Sequence, residues 1–134
     1  MRALPRMDRP SDDRSIVVLV AEDEPMLRMF AVDALTEEGL VGLEAGHAVA
    51  AFDICKARAD EVDVLFTDIR MPGPMDGLEL ARRVRVRWPW ISVVVASGDL
   101  FEDSHELPAG ARFLPKPYDM RRVIGLIREL RQRQ

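Results

Sequence analysis

Cysteine is nearly absent from these 134 residues: Cys55 stands alone, so no intrachain disulfide can form and a reducing, cytoplasmic setting is expected. No apolar run approaches the roughly 18 residues that a membrane-crossing helix needs. The first fifteen residues, MRALPRMDRPSDDRS, lack the apolar stretch of a signal peptide and read as a loose polar tail. There is no internal repeat and no low-complexity tract. Excess positive charge is missing too: the formal net charge is −4, which speaks against a nucleic-acid binder. The arginines between 121 and 133 read as the solvated face of a helix, with a basic surface for an acidic partner as the alternative. What remains is a globular composition, 48% apolar and 31% charged, of a length that suits one domain with its own core. That domain is placed at 16–134.

Four short apolar runs punctuate the chain. Residues 16–21 are rich in β-branched side chains and stop abruptly at Glu22-Asp23-Glu24, the mark of a parallel strand buried on both faces. Residues 62–67 stop at Asp68, residues 91–96 at Ser97-Gly98, and residues 111–114 at Pro115-Lys116-Pro117. A short edge strand is expected at about 40–44. Between the strands the spacing turns helical. Pro25 suits a first helical turn and Gly39 a stop, with Leu27, Phe30, Ala31, Ala34 and Leu35 predicted inward. A second helix is read over 47–58, facing inward with Ala48, Ala51, Phe52 and Cys55. A third follows the turn at 71–77 and is closed by Pro89. A last one, 118–133, carries Met120, Val123, Ile124, Ile127 and Leu130 on one face. Segment 98–110, with four acids and Pro108, has no clean periodicity, and any fourth helix there is expected to be short or irregular.

Strand and helix alternate five times, which predicts a five-stranded parallel sheet, doubly wound with helices on both faces, and right-handed crossovers leave few topologies. Ligands of such sheets bind beyond the carboxyl ends of the strands. Every polar residue that ends an apolar run therefore converges on one edge. Two carboxylates ~4 Å apart repel by roughly 4 kcal/mol at an effective dielectric near 20. A cation among Glu22, Asp23 and Asp68 would relieve that, and an all-oxygen, water-accessible set suits Mg²⁺ or its analogue Mn²⁺. Lys116 adds a fixed positive charge, Ser97 a hydroxyl and Gly98 an approachable backbone N–H. Together they form a cradle for a phosphoryl group, with Asp68 at the end of the central strand as nucleophile.

The stretches VVLVAEDEP (17–25), VLFTDIRMPGPMDG (64–77), VVVASG (93–98) and FLPKPY (113–118) resemble the receiver domains of bacterial two-component response regulators, of the chemotaxis-regulator type. The resemblance spans 16–134, and the acidic pair, Asp, Ser and Lys at successive strand ends are jointly specific; it implies a flavodoxin-like sheet with strand order 2-1-3-4-5. It implies that Glu22 and Asp23 help bind Mg²⁺ and that Asp68 takes a phosphoryl group from a histidine kinase or histidine phosphotransfer protein. It implies that Arg70 lends its backbone carbonyl to the metal, that Ser97 and Lys116 hold phosphoryl oxygens, and that Ser97 and Phe113 act as the switch; Phe113 is expected in the core on any reading. Arg70 and Asp99 would flank the path of hydrolytic water and tune the lifetime of the phosphorylated state. Output would pass through contact with a downstream protein, or by shuttling phosphoryl groups between histidines, from a stand-alone receiver without an output domain. Three departures stand out: one extra residue in the MPGPMDG turn, Glu-Asp in place of Asp-Asp, and a short span between Ser97 and Lys116. Two rivals are a phosphatase of the haloacid dehalogenase type and a degenerate interaction module. The first needs an acid where Arg70 stands. The second is opposed by the intact Asp68, Ser97 and Lys116.

Overall fold

A computed structural model describes residues 15–98 and 107–132. The first fourteen residues, the segment 99–106 with Asp99 where any fourth helix is expected to be short or irregular, and the last two residues lie outside the described residues. The elements are β1 (Val17–Ala21), α1 (Pro25–Glu37), β2 (Val41–Ala45), α2 (Ala48–Arg58), β3 (Val64–Asp68), α3 (Gly77–Arg87), β4 (Ser92–Ser97), β5 (Arg112–Pro115) and α4 (Met120–Gln132). All strands pair in parallel in the order β2-β1-β3-β4-β5, as predicted.

The uninterrupted apolar runs have a direct cause. Side chains alternate between faces, and both faces of the sheet are covered. Val18, Val20, Phe66 and Val94 pack with Ala31 and Leu35 of α1 and with Ile124 and Ile127 of α4. Leu19, Leu65, Val93 and Val95 pack on the other side with Ala51, Phe52, Leu80 and Val84 from α2 and α3. A one-residue slip of any central strand would exchange the two sets, so the register is firmly specified. Cys55 is fully buried in the second set, and burial pushes its thiol up to about 12, as a structural cysteine requires.

Helix starts follow local chemistry. The Glu24 carboxylate accepts from the Met26 N–H ahead of Pro25, His47 Nδ1 accepts from the Ala50 N–H, and Asp76 accepts from the Glu79 N–H. Trp88 is buried at the end of α3, and the Trp90 indole donates to the Ala59 carbonyl. At the amino ends of the strands, Asp63 is buried, accepts from the Val17 N–H at 2.9 Å and faces Arg131 of α4 at 3.6 Å.

Two expectations need correction. Leu27 and Phe30 are not inward: they are 52% and 65% exposed, beside Met26 and Met29 on the same helix. Only one stripe of α1 meets the sheet, and Ala31 and Leu35 fill it. Phe113, expected in the core, is half-buried, because β5 is an edge strand with a partner on one side only.

Candidate functional site

The turn after β1 carries Glu22 and Asp23, and β3 ends at Asp68. Because β1 and β3 are neighbours in register, Ala21 opposite Thr67, the three carboxylates emerge side by side. One oxygen from each lies within 4.8 Å of the others. Glu22 is buried, Asp68 half-buried and Asp23 exposed, so the cluster opens to solvent along one side. Lys116, in the turn after β5, reaches across and donates from Nζ to Asp68 Oδ2 at 2.9 Å. Ser97 ends β4 and is buried. Its carbonyl accepts from the Lys116 N–H at 3.0 Å, so the two turns that frame Asp68 are tied to each other.

Burial holds the Glu22 carboxyl above its ordinary value, and the charges of Asp68 and Asp23 push the same way. The Glu24 N–H, which donates to Glu22 Oε2 at 3.0 Å, and the Lys116 ammonium oppose the shift. Three crowded carboxylates with no histidine or cysteine among them are a donor set for a hard divalent cation, and the residues present fit Mg²⁺ or Mn²⁺.

The supports are as specific as the cluster. Gly77 opens α3 directly under β3: a Cβ there would collide with the Asp68 carbonyl oxygen, so glycine is required for the turn to close. Its N–H donates to the Ile69 carbonyl at 2.8 Å, which pins the strand end that presents Asp68. Within this turn Gly73 takes a positive φ, +117°, a conformation that favours glycine. Arg28 donates to the Glu22 carbonyl at 2.7 Å and to Glu44 at 3.2 Å, bracing the β1 turn against the end of β2. Arg70 is exposed two residues past Asp68, and Phe113 lies opposite Val95 in register. Asp99 lies outside the described residues.

Sequence reasoning missed Arg28 and Tyr118. Tyr118 follows the Lys116 turn, packs edge-on against Phe66 with ring centroids 5.6 Å apart, and lines a small pocket with Glu22, Asp68 and Leu27. The available signal was its place two residues after Lys116. It also missed the exposed apolar face of α1, although Met26, Leu27, Met29, Phe30, Ala31 and Leu35 are too many for one buried stripe.

A doubly wound sheet with an acid trio and a lysine at its carboxyl edge defines a class of phosphoryl-handling signalling domain. The sequence model of the response regulator receiver domain matches residues 18–128. The sensor kinase CckA of Brucella abortus is 37% identical over 125 residues, 90% of this chain and 13% of the kinase. The transcriptional regulator NtrC of Proteus hauseri is 35% identical over 114 residues, 82% of this chain and 23% of the regulator. Among solved structures, the receiver domain of the hybrid histidine kinase CckA superposes with a TM-score of 0.74 at 31% identity, covering 87% of this chain and 99% of that one. A response regulator receiver protein from Sinorhizobium medicae gives 0.81 at 27% identity, covering 88% and 95%. The chain belongs to the response regulator receiver domain family of two-component signalling. It spans less than a quarter of the length of these curated relatives. Among the described residues, no helix is long and apolar enough to cross a membrane.

Proposed function

We propose that Asp68 accepts a phosphoryl group from the phosphohistidine of a sensor kinase or phosphotransfer protein, and that the modified site then changes the domain's protein contacts. The observation that carries this reading is the salt bridge from Lys116 to Asp68 beside the three-carboxylate cluster. An Asp68 oxygen attacks phosphorus, the P–N bond to the donor imidazole breaks, and the departing ring keeps the electron pair and takes up a proton. Lys116 and Ser97 would hold phosphoryl oxygens, Lys116 as a fixed charge and Ser97 as a hydroxyl donor, a reading supported by the Lys116–Asp68 bridge and by Ser97 ending the neighbouring strand. Glu22, Asp23, Asp68 and the Arg70 backbone carbonyl would hold Mg²⁺ or Mn²⁺. When bound, that cation supplies charge neutralisation among carboxylates and phosphoryl oxygens.

Ser97 and Phe113 are assigned to the switch, and the exposed Arg70 side chain and Asp99 to the lifetime of the acyl phosphate. A macromolecular donor fits the surface. Met26, Leu27, Met29 and Phe30 form an exposed apolar face on α1, and Leu27 also lines the pocket shared with Asp68. The phosphatase rival lacks its general acid, since Arg70 stands at that position. Acetyl phosphate or phosphoramidate with Mg²⁺ should add one phosphoryl group by intact-mass spectrometry, and Asp68→Ala should show none. Equal labelling of Asp68→Ala would overturn the assignment.

A further inference from the structure

Tyr118 lies outside the roles assigned above, yet it is the aromatic residue that the fold brings to the carboxylates. Its ring is fixed edge-on against Phe66 of β3, at 73° between planes. It lines a small, partly open space of about 10 Å³ together with Glu22 and Asp68, walled otherwise by apolar side chains that include Leu27, Ala31 and Phe66. A space of that size admits one water, and a buried water is held by two to four polar partners. Glu22, Asp68 and Tyr118 supply three. A phenol is protonated at neutral pH, so the Tyr118 hydroxyl is a hydrogen-bond donor beside both carboxylates. Lys116 meets Asp68 at Oδ2, and the Glu24 N–H meets Glu22 at Oε2. Each carboxylate has further lone pairs for a second donor.

We propose that the Tyr118 hydroxyl is a positioning group for the cation site: through one water in this pocket it donates toward Glu22 and Asp68 and holds both carboxylates in the arrangement that binds Mg²⁺. The inference rests on the receiver reading of the cluster. Phenylalanine in its place would keep the packing on Phe66 and lose the donor. Hydrogen-bonding partners behind metal ligands orient them, and their loss weakens the metal. One neutral hydrogen bond corresponds to about three- to tenfold in affinity.

The test uses the whole chain. Mg²⁺ is titrated into wild type, Tyr118→Phe and Tyr118→Leu by calorimetry, and each is melted in chelator. Tyr118→Phe should bind Mg²⁺ about three- to tenfold more weakly and melt in chelator as wild type does. Tyr118→Leu, which also loses the ring, should melt lower in chelator. Unchanged Mg²⁺ affinity in Tyr118→Phe overturns the proposal, and so does a melting loss in chelator equal to that of Tyr118→Leu, because the hydroxyl would then be structural. Failure of the wild type itself to bind Mg²⁺ would instead remove the receiver reading, and this inference with it.

Discussion

Glu22 carries opposing demands. It is buried beside two other acids, and a cation site needs it ionised. Its folded-state pKa is raised, first by burial and then by Asp68 and Asp23. A carboxyl raised on folding binds more protons in the native state than in the unfolded chain. Its stabilisation is therefore complete below the ordinary value of 4.5 and is lost as pH rises through the elevated pKa. Glu22→Gln keeps an oxygen for the Glu24 N–H and removes the charge. In chelator at neutral pH this variant should melt above wild type, and the gap should close as pH falls toward 4.5. A gap that widens on acidification would contradict the sign. The same residue shows what was legible. An acid ending a β-branched run announced a strand-end carboxylate, because only a strand terminus takes a charge out of a two-sided core. Tyr118 was legible only as a neighbour of Lys116: its effect depends on which way its ring turns, and packing against Phe66 settles that.

At the scale of elements, α1 departs most from its pattern. Its apolar residues cover more than one stripe, and the sheet has room for one. Ala31 and Leu35 take it, leaving Met26, Leu27, Met29 and Phe30 outside. Periodicity located the helix but did not say which stripe faces inward, because both candidates are apolar. The third helix was easier. Leu80, Ala81 and Val84 alternate with arginines, so its inward face was unambiguous. Exposure divides the consequences of mutation. Leu35→Ala should cost about 2–5 kcal/mol, as for a fully buried leucine. Met29→Ser combined with Phe30→Ser, both exposed and outside the pocket beside Asp68, should change stability by no more than about 1 kcal/mol, since exposed changes usually stay within about 0.5 each. If α1 is the face met by a protein donor, the double variant should still be labelled by acetyl phosphate at the wild-type rate while transfer from the cognate phosphohistidine protein slows about tenfold or more. Parallel loss with both donors would place the defect in the site, and no loss with either would release α1 from docking.

Across the whole molecule, the sheet separates its charges by end. The amino ends hold the buried Asp63 with Arg131, a pair that ties α4 to β3 and β1. The carboxyl ends hold three acids against the single ammonium of Lys116. The first arrangement pairs one acid with one base, whereas the second crowds three carboxylates around the Lys116–Asp68 bridge, and mutual repulsion of those carboxylates is expected there. A cation that binds the native cluster and has no comparable site in the unfolded chain stabilises the whole domain by mass action, by about 2.7 kcal/mol at a hundred times its dissociation constant. For a domain of this length that is several degrees in melting temperature. Mg²⁺ should therefore raise Tm in wild type progressively with concentration. Asp23→Ala removes a ligand that is exposed and outside both apolar cores, so it should leave the melting point in chelator near or above the wild-type value while flattening the Mg²⁺ response. The two effects move in opposite directions only if the acids repel in the apo domain and the cation joins them. A Mg²⁺-dependent rise of equal size in Asp23→Ala would remove Asp23 from the metal site, and a lower melting point in chelator would show that Asp23 supports the fold instead of straining it.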